Sequence, residues 1–179
     1  MARIEYADPE ALDAKARDLM KTLAPLNIFA MMAHAPHLIK PFTDLGGAFL
    51  FKGRLDPVTR ECAILRVGYL SGARYETAQH EKIGRDLGMD YALFEALREG
   101  PGAEGLSEEQ RIALVFVDDI VANVKAGDAS FRPALSRFGQ AALQELTLVT
   151  GYYMMVCRFL ETFGVDIETG GAKGLNMKR

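Results

Sequence analysis

The sequence predicts an all-α protein, a bundle of about seven or eight helices. Alanine occurs 24 times and leucine 21 times, against only 9 valines and 8 isoleucines, and this balance favours helix over sheet. Helix-capping residues recur ahead of periodic apolar segments, and no alternating apolar and polar run is long enough to predict a strand. Because domains average about 150 residues, we expect residues 1–179 to form a single domain.

Capping signals and hydrophobic periodicity mark the helices one by one. A proline at the first helical position follows an acidic capping residue twice, at Asp8-Pro9 and at Asp56-Pro57, which is the favoured start of a helix. Ser107 and Gln110 form a capping box. The predicted helices span residues 8–23, 36–51, 56–70, 74–87, 90–98, 107–125, 130–138 and 140–163.

Glycine and proline mark the breaks between these helices. Pro41 and Gly46-Gly47 should bend the second segment, and Gly88 should close the fourth. Residues 99–105 contain three glycines and a proline, so this stretch is expected to be a linker. Residues 169–179, rich in glycine and lysine, are expected to be a flexible tail.

Charge and composition exclude several classes of protein. The net charge of −3 and the pI near 5.7 offer no excess positive field for a polyphosphate, so no nucleic-acid partner is expected. Cys62 and Cys157 belong to no CxxC or zinc motif, and the acidic N-terminus does not resemble a signal peptide. The most apolar stretch, residues 146–163, is interrupted by polar and charged residues. We therefore expect a cytoplasmic protein that does not enter a membrane.

Three polar residues are candidates for acid–base chemistry. Glu76 and His80 are four residues apart and share a helix face, and Glu61 lies on the preceding helix, which must fold back near Ser71-Gly72. A carboxylate beside an imidazole orients the ring and raises its pKa. The alternative is an exposed Glu76–His80 pair and a buried, hydrogen-bonded Glu61 without a catalytic role.

The same stretch resembles the carboxymuconolactone decarboxylase and alkylhydroperoxidase-D superfamily. The resemblance covers residues 26–166, which would form the core. The positions that carry it are Leu26 to Phe29, His34, Pro36, Glu61, Leu65 to Val67, Tyr75, Glu76, His80, Gly88, Gly151, Tyr152 and Arg158 to Leu160. It implies a helical bundle with the Glu61 helix and the His80 helix as a central hairpin. It also implies a homo-oligomer, a trimer or a hexamer.

The decarboxylase branch resembles the chain best at the site, because a glutamate occupies position 76 there too. The resemblance implies a lyase that needs no cofactor and acts on a small unsaturated carboxylated lactone, or on a related acid from the breakdown of aromatic compounds. His80 would donate the proton, Glu61 would orient it, and Glu76 or Tyr75 would contact the substrate or tune the ring. We assign Arg66, His34 and Tyr152 to substrate binding; the alternatives are an outward-facing arginine, a helix junction and core packing, respectively.

Two other functions stay open. The peroxidase branch uses a CxxCxxxH motif with a glutamate 19 residues before the histidine; Glu61 and His80 keep that spacing, but Ala73 and Glu76 stand where the cysteines should be. A non-catalytic oligomer that binds a small metabolite is the third reading. Two carboxylates and an imidazole also suit a divalent metal, although the resemblance implies none.

Overall fold

A computed structural model describes residues 1–171, and over this range the chain forms eight α-helices and no strand. The all-α prediction is confirmed. The helices, numbered in chain order, are α1 (Ala14–Thr22), α2 (Asn27–Met32), α3 (Ile39–Lys52), α4 (Pro57–Leu70), α5 (Arg74–Asp86), α6 (Tyr91–Glu99), α7 (Glu108–Asn123) and α8 (Asp128–Phe163). None of the helices within residues 1–171 combines the length and apolarity that a membrane span requires.

Helix α4 is the centre of the bundle and packs against α5, α6, α7 and α8. Every residue from Thr59 to Gly68 is buried, as expected of a helix that is covered on all sides. Its start follows the predicted signal, because Asp56 accepts a hydrogen bond from the Thr59 N–H at 2.9 Å and Pro57 is the first helical residue. Any polar side chain on α4 must therefore find its partner inside the protein.

A tight turn connects α4 to α5 and makes the predicted central hairpin. Gly72 has a φ of 63°, a left-handed conformation that favours glycine, and the N–H of Ala73 donates to the carbonyl of Gly68 at 3.0 Å. The chain reverses over three residues. This reversal lays α5 along α4, so side chains on their facing surfaces can meet.

The N-terminal helices differ from the prediction. Pro9–Ala11 forms only a 3-10 turn, and α1 begins at Ala14 behind the capping residue Asp13, because the backbone between them is extended. Helix α2 was not predicted, since it has six residues and no capping side chain. The predicted bend at Pro41 is wrong: this residue lies in the first turn of α3, where its missing N–H has no helical partner to lose.

Helix α8 contains a break at Gly139, where the sequence predicts the boundary between two helices. Gly139 has φ 71° and ψ 173°, which no α-helix contains, so the chain changes direction between a first part that starts at Asp128 and a second part that runs to Phe163. Helix α8 packs against α3, α4, α5 and α7, and its second part carries Tyr153 against His80. This second part supplies the side chains that face the α4–α5 hairpin from α8.

Residues 100–107 connect α6 to α7, in agreement with the linker predicted at residues 99–105. Gly100 has a φ of 115°, and a Cβ there would lie 2.7 Å from Nη2 of Arg66, so both conformation and space require glycine. Of the predicted flexible tail, residues 169–171 form a turn, and residues 172–179 lie outside the described part of the chain.

Candidate functional site

The structure brings Glu61 and His80 together across the α4–α5 hairpin. Oε2 of Glu61 lies 2.6 Å from Nδ1 of His80. Glu61 has no exposed surface and His80 is 5% exposed. A contact this short between two enclosed ionisable groups is a charge-assisted hydrogen bond in which the imidazole N–H donates to the carboxylate. The bond fixes the orientation of the ring.

Glu76 faces the other nitrogen of the same ring. Its Oε1 lies 3.0 Å from Nε2 of His80, one helical turn away on α5, and its side chain is buried. The contact has an ion-pair distance but lacks hydrogen-bond alignment, and within residues 1–171 this oxygen receives no hydrogen bond. The Nε2 proton is therefore held less firmly than the Nδ1 proton.

Arg60 completes the cluster and was not predicted as a site residue. Its Nε and Nη2 each donate to Oε1 of Glu61 at 3.2 Å, and the side chain is only 3% exposed. Glu61 therefore has a cation on each of its two oxygens. The one available signal in the sequence was a pair of adjacent charged residues, Arg60 and Glu61, opening the apolar run from Cys62 to Leu65.

The two carboxylates decide the protonation of His80. Burial disfavours the charged ring, but the negative charges of Glu61 and Glu76 and their contacts outweigh it and raise the pKa of His80 to about 10. At neutral pH the ring is an imidazolium with a proton on each nitrogen. The cluster thus holds an enclosed, protonated acid between two carboxylates, which is an arrangement suited to proton donation.

Tyr153, rather than Tyr152, is the α8 side chain that lies against this cluster. The Tyr153 ring meets the His80 ring edge to face, with centroids 4.9 Å apart at 85°. Its pKa is raised well above the usual value by burial and by the charges of Glu76 and Glu61. Tyr152 instead donates its hydroxyl to the Phe42 carbonyl at 2.9 Å and packs on the rings of Phe42 and Phe49.

Tyr75 does not point at His80. Its hydroxyl donates to Oε1 of Glu168 at 2.5 Å, and Gln79, one turn further along α5, donates to Oε2 at 2.5 Å. The structure thus places the Tyr75 hydroxyl at Glu168 rather than at His80, and its contact with a substrate stays a prediction. Glu168 is buried at 5% exposure and was not predicted, because nothing in its local sequence indicates a partner.

Arg66 and His34 also lie away from the cluster. Arg66 is buried and holds Asp118 through two hydrogen bonds, Nε to Oδ1 at 2.7 Å and Nη2 to Oδ2 at 2.8 Å. Its Nη1 donates to the carbonyls of Leu97 and Arg98 at the end of α6. The alternative of an outward-facing Arg66 is wrong, because the side chain is buried; its substrate-binding role stays a prediction. His34 is exposed, and its Nε2 lies 2.9 Å from the carbonyl oxygen of Glu5.

Neither cysteine is placed for thiol chemistry. Cys62 and Cys157 are free and buried, and they belong to different apolar clusters on two sides of α4. Burial and the charge of Glu61 raise the pKa of Cys62 to about 12. Burial and the charge of Glu76 raise the pKa of Cys157 to about 12. Both are thiols at neutral pH, whereas peroxide chemistry needs a thiolate.

The three candidate ligands Glu61, Glu76 and His80 do not converge on one point. The two carboxylates occupy opposite edges of the imidazole, each at contact distance from a ring nitrogen. Within residues 1–171, no group of three or more histidine, cysteine, aspartate or glutamate side chains has the geometry to hold a metal ion. Glu61 and His80 form a hydrogen-bonded pair, and Glu76 lies at ion-pair distance from the other ring nitrogen.

The sequence model of the carboxymuconolactone decarboxylase family matches residues 36–98, a range that contains Glu61, Glu76 and His80. A comparison with curated protein sequences finds no significant match.

Several solved structures share the fold. An alkylhydroperoxidase AhpD core protein of Ralstonia eutropha, described as an uncharacterized peroxidase-related protein, is 19% identical, with a TM-score of 0.79 over 94% of this chain and 93% of that one. A peroxidase-related protein of Silicibacter is 18% identical, with a TM-score of 0.76 over 96% and 98%. A protein of unknown function from Agrobacterium tumefaciens is 18% identical, with a TM-score of 0.72 over 77% and 95%. Residues 36–98 are thus similar to the carboxymuconolactone decarboxylase family, and the chain shares the helical fold of these solved structures.

Proposed function

We propose that the chain is a cofactor-independent carboxy-lyase of the carboxymuconolactone decarboxylase type, acting on a small unsaturated lactone or related acid that bears a carboxylate. The observation that supports it is the enclosed imidazolium of His80 between Glu61 and Glu76. In such a substrate the bond to the carboxylate carbon breaks, and the electron pair moves into the conjugated carbonyl. The reaction therefore needs a proton donor for carbon and no further electron acceptor.

His80 is the proposed donor, through Nε2. The Nδ1 proton is donated to Glu61 in a 2.6 Å hydrogen bond. The Nε2 proton faces Glu76 without hydrogen-bond alignment. Carbon dioxide leaves, one carbon of the resulting dienolate takes the Nε2 proton, and the ring regains a proton from water. A raised pKa keeps the ring protonated at neutral pH before each turnover.

Arg60 and Glu61 act as positioning residues for this donor. The guanidinium of Arg60 holds one oxygen of Glu61, so the other oxygen stays directed at His80. Glu61 stabilises the imidazolium, and Glu76 faces the reacting nitrogen, where it would contact the substrate. Tyr153 supports the ring from α8.

A thiol peroxidase is the alternative that the names of the peroxidase-related structures suggest. It fits the site poorly, because Ala73 and Glu76 occupy the two cysteine positions and both thiols of the chain are buried. Binding of a metabolite without turnover is the other alternative.

The assembly is proposed to be a homo-oligomer, a trimer or a hexamer, in the cytoplasm. Leu148 is 61% exposed and Met155 is 49% exposed, and they lie two turns apart on one face of α8. Exposed apolar side chains at this spacing favour contact with a second copy. The side chains around His80 are buried within one chain. We therefore propose that the substrate enters beside a contact between subunits.

The test is the ultraviolet loss of 4-carboxymuconolactone with parallel measurement of carbon dioxide. We expect equal amounts of both for the native protein and none for His80→Gln, and Glu61→Gln should lose about 100-fold in rate. His37→Gln changes an exposed histidine and is the matched control that should keep full activity. Circular dichroism verifies that each variant is folded.

Three results would count against the proposal. A folded and active His80→Gln variant removes His80 from the mechanism. Binding of the lactone without release of carbon dioxide supports the metabolite-binding alternative. Peroxide consumption coupled to thiol oxidation supports the peroxidase.

A further inference from the structure

The carboxyl group of Glu168 is enclosed by donors from two other elements of the fold. Oε1 accepts hydrogen bonds from the Tyr75 hydroxyl at 2.5 Å and from the backbone N–H of Asn27 at 2.8 Å. Oε2 accepts from the side-chain amide of Gln79 at 2.5 Å. Tyr75 and Gln79 are themselves 3% and 5% exposed. We call these three donor groups the carboxylate cradle.

The cradle matches a carboxylate in shape and in hydrogen-bonding character. Its donors reach both oxygens from two directions, and all three are neutral. Within residues 1–171, no lysine, arginine or histidine lies at ion-pair distance from Glu168. Burying a carboxylate without a counter-ion costs several kcal/mol unless its oxygens are well hydrogen-bonded. Burial of Tyr75, together with its hydrogen bond to Glu168 and the negative charge of that carboxylate, raises the pKa of the Tyr75 hydroxyl, which therefore stays a donor.

The cradle adjoins the proton-donor cluster on the same helix. Tyr75 precedes Glu76, and Gln79 precedes His80, so the two pairs form neighbouring rows along α5. All four side chains are buried. A carboxylate in the cradle therefore lies beside the turn of α5 that presents His80.

Glu168 reaches the cradle on irregular backbone. Helix α8 ends at Phe163, Gly164 adopts a left-handed conformation with φ 61°, and residues 165–168 continue without helical structure. This segment is held by Glu168, by burial of Val165, by hydrogen bonds that join Asp166 to Asn27, Tyr6 and Ala2, and by the ion pair of Asp166 with the N-terminus. No helix has to unfold for Glu168 to leave the cradle.

We propose that Tyr75, Gln79 and the Asn27 amide form a binding site for small organic carboxylates, which Glu168 occupies as an internal ligand and from which an external carboxylate displaces it. An internal ligand competes with an effective concentration in the millimolar range. The site is separate from the acid–base chemistry of His80 and does not depend on whether the chain is a decarboxylase.

The first experiment removes the internal ligand and offers acetate, which has the size of the side-chain atoms deleted by Glu168→Ala. Thermal unfolding is followed in sodium acetate and in sodium chloride at equal ionic strength. Acetate should stabilise Glu168→Ala and bind it at least about tenfold more tightly than the native protein. The double variant Glu168→Ala with Tyr75→Phe should lose about tenfold in acetate affinity. Glu161→Ala, an exposed carboxylate on α8, is the matched control and should behave like the native protein.

Equal acetate affinity of Glu168→Ala and the native protein, or no acetate effect on Glu168→Ala, would overturn the binding site. The second experiment uses the native chain and remains available if Glu168→Ala does not fold. Hydrogen exchange of the amides of residues 165–168 should accelerate in acetate relative to chloride. The displacement of Glu168 would be overturned if exchange is unchanged at acetate concentrations well above the dissociation constant measured for Glu168→Ala. If that variant does not fold, unchanged exchange at molar acetate would overturn it.

Discussion

Glu61 and His80 are 19 residues apart in the chain, yet Oε2 of Glu61 lies 2.6 Å from Nδ1 of His80, and both side chains are buried. The contact depends on the reversal at Gly72, which lays α5 against α4. Because of this contact, the free energy of unfolding depends on whether His80 is protonated.

The stability of the protein should fall as the pH rises above neutrality. The pKa of His80 is about 10 in the folded protein and about 6.5 in an unfolded chain. Because the folded value is the higher one, the stabilisation is fully present below about pH 6.5 and is lost as the pH rises through about 10. Denaturant unfolding of the native protein should lose a free energy on the order of a few kcal/mol over this range. His80→Gln should have a flatter profile, and parallel profiles would contradict the raised pKa.

Arg60→Met should destabilise the protein by about 3–5 kcal/mol, because it leaves Glu61 buried without its guanidinium partner. The matched control is Arg132→Met, which breaks an exposed ion pair with Asp128 and should cost at most about 1 kcal/mol. Chemical denaturation of both variants measures the difference. Equal losses would mean that Arg60 contributes no more than a surface arginine.

Arg66 and Asp118 should behave as a structural pair. Each alanine variant leaves a buried or partly buried partner without its two hydrogen bonds, so a double-mutant cycle on the free energy of unfolding should give a coupling of about 2 kcal/mol. The substrate-binding role predicted for Arg66 would appear differently, as a raised KM with unchanged stability. That result would contradict the structure.

The two thiols should be inert in the folded protein. With each pKa raised to about 12 and both side chains buried, a thiol-specific dye should label neither cysteine under native conditions and both in denaturant. Mass spectrometry after peroxide treatment should find no Cys62–Cys157 disulfide. Rapid native labelling, or the disulfide, would restore the peroxidase alternative.

Leu148→Glu should weaken the proposed oligomer without unfolding the chain, because the side chain is 61% exposed in the single subunit. Sedimentation measures the mass of the assembly. Tyr91→Glu is a matched control, since Tyr91 is 74% exposed and lies on α6. A native protein that sediments as a monomer would contradict the oligomer, and an unchanged assembly in Leu148→Glu would move its interface elsewhere.

The helices were predictable where local signals define them. The proline and capping aspartate at α4, the capping box at α7 and the glycine break in α8 all lie where the sequence places them. The errors at Pro9 and at α2 arose in short segments, where a capping signal or its absence decides little and contacts with the rest of the protein decide the conformation.

The site was predictable only in part. The spacing of Glu61, Glu76 and His80 indicated a meeting across the hairpin, and the structure brings these side chains together. Tyr152 and Tyr153 are consecutive residues, but one step along the helix rotates the side chain by about 100°, and only packing of α8 against the hairpin selects Tyr153.

The sequence by itself determined the all-α class, the central hairpin and the pairing of an acid with an imidazole, because helix caps, apolar periodicity and fixed spacing along a helix are local properties. The tertiary structure alone decided that Arg60 supports Glu61, that Arg66 belongs to Asp118, and that Glu168 occupies a cradle built from α5 and the start of α2. The physical reason is that buried polar groups must be hydrogen-bonded, and their partners, other than neighbours on the same helix, are selected by how the helices pack and rotate.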